Sequence, residues 1–253
     1  MHRLFKPYSR FHNMIDYTVS LRARKDEIIT EYLSSYYSHI PNINSVFGFS
    51  DQCKLYGGRL YKREITDYEI NELREHGIYY SIPLTSHYVN LETYNSSKKL
   101  LSKNNVKGNS VIVTNDNLAE WIRNDFTNYK IESSVIKNIN NIEELEYYSD
   151  KYDEIVLHGQ WNSNIEKLNT IRCKNKIRLF TSMGCSYNCP SKLCYKNVSQ
   201  INSGIISTVG IQCTKDFISR KELGAVKFNV NDLILNGFSK FKVLPIDNIA
   251  MYI

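Results

Sequence analysis

Short β-branched and aromatic runs alternate along this chain with stretches whose apolar residues recur every three or four positions. The first pattern marks strands and the second marks helices buried on one face. Between residues 26 and 40, Ile28, Ile29, Tyr32, Leu33, Tyr36 and Tyr37 fall at helical spacing and predict a helix. Further helices are expected over 67–76, 93–103, 116–126, 142–151, 162–171 and 230–236. Their starts carry side chains that cap the free N–H groups of a first turn. Thr66 with Glu69 three residues on is a capping box, Asp116 opens the fourth helix, and Asn162 is expected to cap the helix through 171. Gly77 and Gly237 supply stops. Strands are expected over 4–7, 45–49, 78–84, 110–113, 130–136, 154–158, 176–181 and 240–244. After residue 185 the alternation weakens, and 204–212 reads as a strand or hairpin arm.

Eight strands separated by helices imply βα units and a parallel sheet. In a chain of 253 residues they fit a (β/α)8 TIM-barrel-like fold, whole or distorted, with an open doubly wound sheet as the runner-up. No repeat or linker divides the chain. It reads as one barrel-like domain, 1–253, with a cysteine-bearing insertion, 185–213, after the seventh strand.

Composition narrows the function. Hydrophobic residues make up 42% of the chain, enough for a full core, and no apolar run approaches the roughly 20 residues of a membrane helix. The segment Met1-His-Arg-Leu-Phe-Lys-Pro7 lacks the apolar centre of a signal peptide, so a cytoplasmic protein that is not membrane-bound is expected. Net charge is +6, a mild excess that suits an anionic small molecule or RNA without requiring either. Lys98, Lys99, Lys103 and Lys107 form the densest basic patch and read as a solvated helix face. No G-x-G-x-x-G or G-x-x-x-x-G-K-[ST] loop follows a strand, which argues against dinucleotide and P-loop chemistry. H-E-x-x-H is absent, and no Ser-His-Asp ordering stands out.

Chemistry concentrates in Cys185-Ser-Tyr-Asn-Cys189-Pro-Ser-Lys-Leu-Cys194, with Cys213 further on. Cysteines clustered in a cytoplasmic chain point to metal binding or catalysis rather than disulfides. Three in one loop and a fourth apart is less like the paired C-x₂₋₄-C spacing of zinc sites than like a loop that ligates an iron–sulfur cluster. Zinc remains the alternative. The C-x₃-C-x₄-C spacing differs from the C-x₃-C-x₂-C of radical S-adenosylmethionine enzymes. Cys53 and Cys173 stand alone and read as ordinary core or surface residues. Two elements on the same side of the expected barrel are candidates for catalysis or ligand contact. Arg59, after Gly57-Gly58, offers a planar fork for carboxylate or phosphate, and His158 ends the sixth strand. His87, Ser133 and Ser134 are weaker candidates.

Several segments resemble the collagenase-like "peptidase U" family, which includes proteins of oxygen-independent ubiquinone and tRNA hydroxylation. Ile177-Arg-Leu-Phe-Thr-Ser-Met-Gly-Cys185-Ser-Tyr-Asn-Cys189-Pro190 is similar to the family's strand running into a Gly-Cys…Cys-Pro loop. Val46-Phe-Gly-Phe49 with Gly57-Gly58-Arg59 resembles a strand followed by a Gly-Gly-Arg element. Val230-Asn-Asp-Leu233 and Gly237-Phe-Ser-Lys-Phe-Lys242 resemble the family's last helix and strand. The resemblance implies a barrel holding a [4Fe-4S] cluster on Cys185, Cys189, Cys194 and Cys213. It also implies a redox enzyme, a hydroxylase of a small or nucleic-acid-borne substrate, served by an electron donor or protein partner. An accessory protein with a structural zinc or iron–sulfur site, or a collagenase-like peptidase, are the alternatives. The chain departs from the family after Cys189-Pro190, where relatives often carry Arg and His and this chain has Ser191-Lys192 and Cys194-Tyr195.

Overall fold

The computed structural model describes residues 15–22, 27–189, 193–207 and 226–245. Strands β1 (Asp16–Ser20), β2 (Ile43–Phe47), β3 (Tyr79–Leu84), β4 (Ser110–Val113), β5 (Lys130–Ser133), β6 (Glu154–Val156) and β7 (Ile177–Phe180) stand side by side in chain order, all parallel. A short antiparallel pair, β8 (Ser182–Met183) and β9 (Val226–Lys227), follows. Strand β10 (Lys240–Val243) pairs with β7 on one side and β1 on the other, closing an eight-stranded barrel. Helices α1 (Ile29–Tyr37), α2 (Asp67–Glu75), α3 (Leu91–Lys103), α4 (Asp116–Asp125), α5 (Ile142–Ser149) and α6 (Ile165–Asn169) each follow one of the first six strands. Helix α7 (Leu193–Asn202) follows β8, and α8 (Val230–Leu235) precedes β10. The expected (β/α)8 barrel is therefore present, whole and as a single domain.

The first strand lies elsewhere than expected. Residues 4–7 fall outside the described residues, and the barrel begins at Asp16–Ser20. The expected strand or hairpin arm over 204–212 is a turn as far as residue 207, and the rest lies outside the described residues. Neither helix α7 nor the short β8–β9 pair was expected. Elsewhere differences are confined to ends. The fifth strand stops at Ser133 because Ser134 caps a single 3-10 turn, its hydroxyl accepting from Ile136 N at 3.2 Å. The sixth helix starts two residues later than expected, capped by Asn164 rather than Asn162. The capping box of α2 is formed as read, with Glu69 N to Thr66 Oγ1 at 3.3 Å and Thr66 N to Glu69 Oε2 at 2.7 Å.

Alternation along each strand sorts the barrel into two layers. Val19, Val46, Ile82, Val111, Ile131, Ile155, Leu179 and Phe241 are buried in the main core. The intervening residues Thr18, Ser45, Ser81, Ser110, Glu132, Glu154, Arg178 and Lys242 are polar, yet equally buried or nearly so. They meet one another. Thr18 Oγ1 lies 2.6 Å from Ser45 Oγ, and Ser110 Oγ lies 2.6 Å from Ser81 Oγ and 3.2 Å from Glu132 Oε1. Arg178 ties the closing seam. Its guanidinium grips Asp16 of β1 through two bonds of 3.0 and 3.1 Å and bonds Glu154 Oε2 of β6. Glu132 Oε2 of β5 lies 3.3 Å from Arg178 Nε. Lys240 adds a 2.7 Å bond to Glu154 Oε1.

Candidate active site at the barrel mouth

The loops after β2, β6 and β7 gather at the C-terminal end of the barrel, the end where barrel enzymes build their sites. The β2 loop carries the Gly57-Gly58-Arg59 element. Gly57 packs so closely that a Cβ there would lie 2.4 Å from the backbone oxygen of Thr85, and Gly58 holds a φ of +79°. These glycines thus have steric and conformational reasons of their own. Arg59 lies over the Phe49 ring at 4.5 Å. Its Nε donates to Glu64 Oε1 at 3.0 Å and its Nη2 to the Leu21 carbonyl at 2.9 Å. Glu64 Oε2 is held in turn by Phe49 N at 2.9 Å. The fork expected to face a ligand is thus engaged with a nearly buried carboxylate, and it ties the ends of β1 and β2 together.

His158 follows β6 and is buried. Its Nδ1 accepts from Gln160 N at 3.3 Å, so Nε2 carries the proton and donates to Ser186 O, 3.2 Å away. The ring lies nearly parallel to Tyr187, 6.0 Å between centroids. Tyr187 is fixed further by its hydroxyl, 2.8 Å from Ser163 Oγ, and by its backbone N–H, which donates to Gly184 O at 3.0 Å. Gly159 lies against Met183 and Phe228, where a Cβ would meet Met183 Sδ at 2.6 Å. His158 therefore braces the first half of the cysteine arc.

Cys185 and Cys189 lie in that arc, and Cys194 is the second residue of α7. All three are half-buried. Cys213 and Pro190 lie outside the described residues. Thiols alone, with no carboxylate among them, suit a thiophilic centre. Among the described residues, however, no three His, Cys, Asp or Glu side chains converge as a metal site. Cys53 is buried beside Ser97 Oγ at 3.1 Å, and burial pushes its thiol pKa up. Burial does the same to Cys173.

Helix α7 fixes the arc from its other end. Asn202 Nδ2 donates to Arg59 O at 2.8 Å and Tyr56 O at 3.2 Å, and its Oδ1 accepts from Tyr61 N at 2.8 Å. Ser199 Oγ lies 3.2 Å from His87 Nδ1 and accepts from His87 N at 3.3 Å. Burial, aided by Lys196, lowers the His87 pKa below its ordinary value. The expected site elements Arg59, His158 and the cysteines are thus linked through backbone and bracing side chains. Glu64, Tyr187, Ser199 and Asn202 carry those links, and no spacing in the sequence marks them. Ser133 is buried on β5, and its hydroxyl makes no hydrogen bond among the described residues. Of the lysine patch, Lys98 pairs with Asp125, and Lys103 with Asp51 and Asp67.

No family model matches the chain, and no curated protein matches it in sequence. Among solved structures it is similar to a chitinase from Bacteroides thetaiotaomicron, at a TM-score of 0.45 and 11% identity over 90% of this chain and 88% of the other. It is similar to the U32 peptidase Mk0906 at a TM-score of 0.64 and 15% identity over 95% of each chain. No helix among the described residues is long and apolar enough to cross a membrane. Over nearly its whole length, then, this chain has a U32 peptidase-like barrel fold.

Proposed function

We propose that this chain is an iron–sulfur enzyme on a peptidase-U-type barrel. Cys185, Cys189, Cys194 and Cys213 ligate a [4Fe-4S] cluster. The reaction is an oxygen-independent hydroxylation of an anionic substrate, small or carried on RNA, in which water supplies the oxygen and an external redox partner accepts the two electrons released. One observation carries the reading: the thiol arc leaves the barrel at its C-terminal mouth and is braced on both sides. His158 holds Ser186 O within the arc, and Asn202 holds α7 against the Arg59 segment. When bound, the cluster supplies electron transfer and the barrel supplies position. His158 keeps its Nε2 proton on the Ser186 carbonyl and so sets the course of the arc between Cys185 and Cys189. Tyr187, Met183 and Phe228 wall that side against water. Arg59 fixes the opposite rim through Leu21 O and Glu64.

Protein purified without oxygen should be brown and contain about four irons and four sulfides per chain. Cys194→Ala should lower the iron content, whereas Cys173→Ala should not change it. A colourless protein with stoichiometric zinc would overturn this reading in favour of an accessory protein with a structural metal site.

A further inference from the structure

Lys242 plays no part in the cysteine site. It is the third residue of β10, in register with Thr18 of β1 and Phe180 of β7, and it is 5% exposed. Its ammonium lies 4.3 Å from the centroid of the Phe47 ring, which Arg59 also approaches, at 6.0 Å. Among the described residues no carboxylate reaches ion-pair distance of Lys242. The acidic groups nearby are engaged elsewhere. Asp16, Glu132 and Glu154 are held by Arg178, Glu154 also by Lys240, and Glu64 by Arg59. Two guanidinium groups therefore flank a buried amine, one toward the barrel floor and one at the mouth. Such an amine gains little from keeping its proton, and its lone pair is the nucleophile that carbonyl chemistry requires.

We propose that Lys242 is a nucleophilic amine that condenses with the carbonyl group of a small aldehyde or 2-oxo acid entering from the mouth. The Nζ lone pair forms the C–N bond while the carbonyl π pair moves to oxygen. That oxygen takes protons and leaves as water, giving a protonated imine with no net oxidation or reduction. The depressed basicity of the amine agrees. Burial is the largest cause, and Arg178 and Arg59 push in the same direction. Glu132 and Glu154 pull back only part of the way, and the pKa falls to about 8.

Glyoxylate with cyanoborohydride, followed by peptide mapping, tests this without reliance on iron. Hydride from the borohydride converts the imine to a stable carboxymethyl-lysine. Lys242 should label before the surface lysines Lys98 and Lys99, with a rate that is half-maximal near pH 8. The labelling of an ordinary solvent-exposed lysine accelerates instead toward about pH 10. Lys242→Met, with its fold checked by circular dichroism, should lose only that adduct. An unlabelled Lys242 in wild-type protein whose surface lysines are labelled would overturn the proposal. So would a Lys242 rate that climbs with theirs. The mapping needs no variant, and failure of the iron reading would leave its outcome unchanged.

Discussion

Arg59 illustrates how a motif can be visible while its use is not. Gly-Gly-Arg reads as a flexible turn presenting a fork to an anion. The structure uses Gly57 for close packing on Thr85, Gly58 for a left-handed turn and Arg59 for Glu64. The Arg59 and Glu64 side chains are only 14% and 6% exposed, so removing one leaves the other charge stranded in poor solvent. Arg59→Ala should therefore cost about 3 kcal/mol in denaturant unfolding. Arg59→Met with Glu64→Leu should recover part of that loss, because no carboxylate is then left unpaired. Phe49 N, which loses its Glu64 acceptor, limits the recovery. If both variants lost the same amount, the pair would not be what stabilises this rim. Gly57→Ala should destabilise as well, because a backbone oxygen cannot swing aside as a flexible side chain can.

At the scale of elements, helices α2 and α7 separate what a sequence shows from what it hides. Helix α2 announces itself with a capping box and an apolar stripe of Ile70 and Leu73. Helix α7 buries Asn197, Val198 and Ser199, two of them polar, so its inner face carries no hydrophobic period to detect. It holds on through hydrogen bonds, which leave no spacing signature. Strand β1 escaped for a related reason: the five residues Asp-Tyr-Thr-Val-Ser are too polar to read as a buried run, yet the last four are buried. The cysteine arc was legible because thiols are scarce, while the residues that brace it were not, because Asn and Ser are everywhere in this chain. Asn202→Ala removes three hydrogen bonds and should cost about 2–3 kcal/mol. Because α7 carries Cys194, the same change should lower anaerobic iron content. Thr66→Ala, worth about 1 kcal/mol at the α2 cap, should leave iron unchanged. Equal iron loss in both variants would mean that global stability, not the α7 clamp, governs the site.

Across the whole molecule, the barrel was legible from the outward-facing strand residues, but its charged lumen was not. Buried Glu132, Glu154, Arg178 and Lys242 fall where alternation normally places solvent-facing residues, and only closure of the sheet reveals that they face one another. Closure brings β1 beside β10, and Arg178 spans that seam by binding Asp16, Glu132 and Glu154 together. Burial alone would push the Glu154 carboxyl up, but Arg178 and Lys240 more than offset this and hold it at about 2, against an ordinary 4.5. A carboxyl lowered in the folded state contributes stability that is fully present above its unfolded pKa and is lost as pH falls through the folded one. Wild-type stability should therefore decline between about pH 4.5 and 2, by on the order of 3 kcal/mol from this group. Arg178→Leu weakens this dependence. Buried Glu154 then keeps only Lys240 as a charged partner on the seam, so its folded pKa rises and the variant loses less stability as pH falls. Unfolding curves from pH 7 to pH 3 should show the largest gap between wild type and variant at neutral pH and a narrowing gap in acid. Parallel curves would mean that the seam is held by backbone pairing alone and that the ion cluster merely fills the floor of the barrel.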